Sequence, residues 1–137
     1  MKTRMITIDE FPPPDSLPSE IQVIADIIGF PETIVDSERI LTNDMFEDDR
    51  CREAWNALRQ MSKDGLSIDF ASAYHKVGAE LMKSVSQLML YSGGAMTVLQ
   101  HFSELRDVHL RKRSYLEALE MVMLSSRGTT TSQDIIN

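Results

Sequence analysis

Apolar residues recur at steps of three and four along most of this chain, and the breaks in that rhythm mark its elements. Ile21, Ile24, Ala25 and Ile28 make a first helical stripe, widened by Val23 and Ile27, with Ser19 as its expected cap and Gly29 as its stop. Pro31 suits the first turn of a short helix from Glu32 to about Asp36. The stretch from Ile40 to Met61 is the most sharply punctuated, and it reads as the unit around which the rest is organised. Thr42, Asn43 and Asp44 start a short helical turn, and Phe46 anchors it in the core. Asp48 and Asp49 then open a helix that turns Cys51, Ala54, Trp55, Leu58 and Met61 to one side. Asp64-Gly65 is a turn and Leu66-Ser67-Ile68 is extended. Asp69 caps a helix from Phe70 to about Val77, which Gly78 closes. A further helix from Glu80 to about Tyr91 buries Leu81, Val85, Leu88 and Met89.

After the turn at Ser92-Gly93-Gly94, no proline or glycine interrupts the chain from Ala95 to about Ser126. Val98, Phe102, Leu105, Leu116, Leu119 and Met123 carry the helical spacing through it. The predicted fold is all-α: a small helical head (about 19–78), then an antiparallel helical hairpin (about 79–126) with one long C-terminal helix. Residues 1–18 read as a flexible, Pro-rich arm with at most a brief strand at Ile6 to Ile8. Residues 127–137, opened by Arg127-Gly128, read as the start of a linker or tail. The expected core is Ile24, Ile28, Phe46, Trp55, Leu58 and Ile68, with Asp69 as a helix cap. A helix of about 30 residues spans roughly 45 Å, longer than a small head is wide. Its far half therefore needs a partner. The expected contact residues are Phe102, Leu105, Leu116 and Leu119, with Arg106, Arg111 and Arg113 placed to meet acids.

Composition narrows the function. At 137 residues, 42% hydrophobic and 26% charged, the chain is one ordinary globular domain with a core of its own. No apolar run is long enough for a membrane span and no signal sequence opens the chain, so a cytoplasmic location is expected. The net charge of −7 argues for at most weak nucleic-acid binding, since phosphate neutralisation needs clustered Lys and Arg. The late bases Arg106, Arg111, Lys112 and Arg113 face an acid-rich first half. A single cysteine, Cys51, permits no internal disulfide and reads as a small buried hydrophobe. No G-x-x-x-x-G-K-[ST] loop, G-x-G-x-x-G turn or H-E-x-x-H pair occurs. His75, His101 and His109 read as surface or interface residues. The Glu47-Asp48-Asp49 run reads as helix N-terminal charge. No catalytic set, metal or cofactor is expected, and nine methionines suit either an adaptable surface or core filling.

Three segments and a late helix resemble the N-terminal domain of the DnaB-type replicative DNA helicase family. Glu20 with Val23-Ile24 and Ile27-Ile28 is similar to the family's opening E-x-x-V-L-G-x-x-L helix. Ile40-Leu41-Thr42-Asn43-Asp44-Met45-Phe46, continuing through Arg50, Trp55 and Leu58, resembles I-L-x-x-x-D-F-x-x-x-x-H-x-x-I-F. Asp64-Gly65-Leu66-Ser67-Ile68-Asp69 resembles D-G-x-P-I-D. His101-Phe102 through Leu105 to Arg113 and Leu116 resembles the H-Y-x-x-I-V helix. Cys51 stands where the family often has His, and Gly93-Gly94 where the hairpin tip usually has Pro-Ser. The resemblance implies a non-catalytic domain that self-associates as a dimer, three dimers making the collar of a hexameric ring, and that docks primase or a helicase loader. A parent carrying an ATP-binding domain would be an ATP-dependent DNA helicase. The alternative is a free-standing adaptor or inhibitor, from a phage or mobile element, that binds a helicase.

Overall fold

A computed structural model describes residues 15–89 and 93–136, apart from the side chains of residue 95 and of 126–136. Every regular element among them is helical: α1 (Leu17–Gly29), α2 (Ile34–Ile40), α3 (Asp49–Lys63), α4 (Phe70–Val77), α5 (Ala79–Met89) and α6 (Ala95–Ile136). Short 3₁₀ turns occur at Pro31–Thr33 and Asn43–Met45. The chain divides into a compact unit Asp15–His109 and a second unit whose described part is the helix from Leu110 onward. The expected arm strand at Ile6 to Ile8 and the turn residue Ser92 lie outside the described residues.

α1, and not the 40–61 stretch, is the centre of the first unit. Val23 through Ile28 are all buried, so the helix is covered on every side, and it packs on both α3 and α5. A helix apolar all round belongs inside a core. α3 is amphipathic and packs on α1, α2 and α4, while α4 packs on α5. Val98, Phe102 and Leu105 of α6 close the same core.

α1 starts earlier than expected. It begins at Leu17, with Ser16 at the cap position and Pro18 in the first turn, where a missing N–H costs nothing. The Ser16 hydroxyl donates to the Glu20 carboxylate at 2.7 Å instead of capping the backbone. After the Pro31–Thr33 turn, α2 begins at Ile34 and runs to Ile40, later than the expected Glu32–Asp36 helix.

The remaining punctuation is local chemistry. Asp48 caps α3 by accepting from the N–H groups of Arg50 (2.9 Å) and Cys51 (3.2 Å). α3 ends in a Schellman motif: Gly65 has φ +73°, and the Leu66 N–H reaches back to the Met61 carbonyl at 2.9 Å. Asp69 accepts from the Ser72 N–H at 2.8 Å and caps α4. Gly78, at φ +93°, separates α4 from α5. α6 passes through Arg127 and Gly128 to Ile136, beyond the expected stop. A glycine inside a helix costs only about 1 kcal/mol relative to alanine, so without a following proline it need not end one.

Candidate assembly surface

The spacing along α6 writes a single seam. Val98, Phe102, Leu105, His109, Lys112, Leu116, Leu119 and Met123 follow one another at alternating steps of four and three. The structure divides this seam by burial. Val98, Phe102 and Leu105 are fully buried. Leu116 is 50% and Met123 51% exposed, with Leu119 half-buried. Phe102 and Leu105, expected at a contact between copies, are therefore core residues of the Asp15–His109 unit. Leu116 and Leu119 lie on the second unit, beyond the core. Arg106 and Arg113 are exposed, and Arg113 pairs with Glu117 one turn on, at 3.3 Å. The other expected core residues, Ile24, Ile28, Phe46, Trp55, Leu58 and Ile68, are all buried.

Two histidines explain where the buried part of the seam stops. His101 and His109, expected at the surface or an interface, are half-buried, and each faces a carboxylate. His101 Nδ1 lies 2.5 Å from the carboxylate of Asp26, which is completely buried in α1 and also accepts from Gln22 at 2.9 Å. His109 Nε2 lies 3.5 Å from the carboxylate of Asp44 in the second 3₁₀ turn. Together they fasten the first part of α6 to α1 and to the 40–61 stretch. His75 is exposed. The pairing of Asp26 with His101 is not visible in sequence, because a single Asp in an apolar helix gives no sign of a residue 75 positions later.

The apolar surface does not end with the seam. Leu110 (48%), Met121 (70%), Val122 (64%) and Leu124 (55%) are exposed on the helix from Leu110 onward. A separate small patch lies at α4, where Leu66, Phe70 and Tyr74 are exposed and the two rings sit 6.4 Å apart.

Beneath the surface, the core also holds a buried carboxylate and a buried thiol. Glu20 is buried on α1. It accepts from the Ser16 hydroxyl and, at 3.1 Å, from the backbone N–H of Asp48, the cap of α3. Burial raises its pKa above the ordinary value, outweighing those hydrogen bonds. Cys51, in the same core, is fully buried. Burial and then the charges of Glu20 and Asp48 push its thiol up to about 12. No group of three or more His, Cys, Asp or Glu that could hold a metal ion occurs among the described residues. No described helix is long and apolar enough to cross a membrane.

A closed helical core and a long helix with exposed apolar residues define an all-α domain. Its sequence matches the model of the DnaB-like helicase N terminal domain over residues 12–136. The chain belongs to that family, whose N-terminal domain is a non-catalytic part of a helicase. Among solved structures, it is similar to the N-terminal domain of DnaB helicase from Mycobacterium tuberculosis. The TM-score is 0.69 at 15% identity, covering 83% of this chain and 88% of that one, and the likeness establishes a shared fold. No curated protein matches the sequence.

Proposed function

We propose that this domain assembles and docks the parts of a replicative helicase without catalysing a step itself. Copies pair through α6 into dimers, and three dimers would form the collar of a hexameric ring. Primase or a helicase loader is the expected protein partner. The observation that carries this reading is the half-exposed seam at Leu116, Leu119 and Met123, continuous by spacing with residues that the first unit buries. Arg106 and Arg113, on the same helix, are exposed and can meet acidic groups on a partner.

Sedimentation of the wild type and of Leu116→Glu/Met123→Glu at matched concentration tests the pairing. The wild type should associate in the micromolar range and the variant should not, because a dimer would have to bury charges with no partner. Both sites are exposed, so the variant should keep its fold. A wild type that stays monomeric at high micromolar concentration overturns the reading.

A further inference from the structure

We infer that Glu20, Ser16 and Glu47 form a one-proton clasp that fastens the start of α1 to the residues ahead of α3. With the proton on Glu20, its carboxyl O–H donates to the Ser16 hydroxyl, and Ser16 donates on to Glu47. As the proton leaves, this chain of donors breaks and the first turn of α1 opens.

The positions of three oxygens carry the inference. Ser16 Oγ lies 2.7 Å from Glu20 Oε2 and 3.4 Å from Glu47 Oε2. A hydroxyl has one hydrogen, so it can donate fully to only one of two carboxylates. Both contacts hold a hydrogen only when a carboxyl supplies the second. Glu20 is the group placed to do so, because Ser16 and Glu20 are 2% and 1% exposed whereas Glu47 faces water. The other Glu20 oxygen accepts from the Asp48 N–H at 3.1 Å. Three carboxyl groups thus meet at one junction. The base beside them, Arg50, turns to Asp48 and to Glu80 of α5, each at 3.3 Å, and Glu80 is exposed. Cys51 of α3 remains a neutral thiol there. Asp26 lies further along α1, against His101 of α6, and Glu104 of α6 lines a cleft with Ser19 and Gln22. Burial, helped by the charges of Asp48 and Glu47, raises the Glu20 pKa above 4.5 and so works in the same direction.

The first turn of α1 leans on this junction. Ser16 stands at the cap position, yet its hydroxyl caps no backbone N–H, and Pro18 has no N–H to give. The Glu20 N–H donates to the Ser16 carbonyl at 2.9 Å, so whatever holds Ser16 holds that turn. Glu20 is protonated in the clasp and an ordinary carboxyl once released. The closed form is therefore complete below 4.5 and is lost as pH rises through the folded midpoint.

Amide hydrogen exchange and carboxyl NMR on the full chain test this. The Glu20 and Asp48 amides should be less protected than the Trp55 amide, since a local opening exposes them. Their protection factors should fall about tenfold per pH unit above 4.5 and level off once Glu20 has titrated, because opening releases one proton. Glu20→Gln donates to Ser16 with no proton to lose, and should make the profile flat. Glu47→Gln changes an exposed residue, keeps the fold, and should move the Glu20 midpoint down towards 4.5. A flat profile in the wild type overturns the clasp. Protection equal to that of Trp55 at every pH also overturns it, since the whole unit then opens at once. An unmoved Glu20 midpoint in Glu47→Gln assigns the titration to burial alone and overturns the shared proton.

Discussion

Trp55 shows how one residue can serve three elements. Its ring stacks on Phe46 with centroids 4.9 Å apart, its indole N–H donates to Ser37 of α2 at 3.0 Å, and the Arg59 guanidinium sits 4.5 Å over its face. Trp55→Ala should cost roughly 3–5 kcal/mol, read from urea midpoints, since the surrounding helices cannot collapse into so large a void. An unchanged midpoint would contradict this packing. Cys51 should resist thiol reagents in the folded protein at pH 8 and react only on unfolding, because a thiol held near 12 offers almost no thiolate. Glu20 gives a pH signature. Its folded pKa lies above the ordinary 4.5, so its contribution is complete below that value and is lost as pH rises through the folded value. Asp48 behaves oppositely. Its hydrogen bond from Arg50 lowers its pKa, so its contribution is present above 3.8 and fades in acid. Glu20→Gln should therefore gain on the wild type as pH rises from about 4.5 towards 7, since an amide can accept from the Asp48 N–H and donate to the Ser16 hydroxyl without a charge to bury. Parallel stability curves for the two proteins would count against it.

At the scale of elements, what the sequence made legible was whatever local chemistry decides. Asp48, Gly65, Asp69 and Gly78 each act within a few residues of themselves, and their elements lie where capping and turn preferences put them. The Asp48 and Asp69 caps, the Trp55 face and the all-helical class are all of this kind. Spacing alone could not say where a continuous seam passes from core to surface. Phe102 and Leu116 look equivalent in periodicity, yet one is buried and the other half-exposed. The boundary depends on His101 and His109, whose partners Asp26 and Asp44 come from distant elements. For the same reason the central place of α1 was hidden. A short apolar helix gives no count of how many neighbours will cover it. The pair at Asp26 yields a prediction at this scale. His101→Ala removes the α6 partner of a completely buried carboxylate and should destabilise the first unit by about 3 kcal/mol. His75→Ala, on the exposed side of α4, is the control and should leave the thermal midpoint unchanged.

For the whole molecule, the question is which apolar residues hold the fold and which hold an assembly. Concentration separates them. Association that favours the folded state makes the melting temperature rise with protein concentration, by mass action, while a core contact is indifferent to concentration. The wild type should therefore melt higher at hundreds of micromolar than at one micromolar. Leu116→Glu/Met123→Glu should abolish that rise and leave the dilute value untouched, because both side chains are already half in water in a single copy. Leu105→Glu should lower the melting temperature at every concentration, since it places a charge in a site with no exposure at all. If the charged variant at 116 and 123 instead melts early in dilute solution, those residues stabilise the single chain, and the pairing surface must be sought at Leu110, Met121 and Leu124 round the helix.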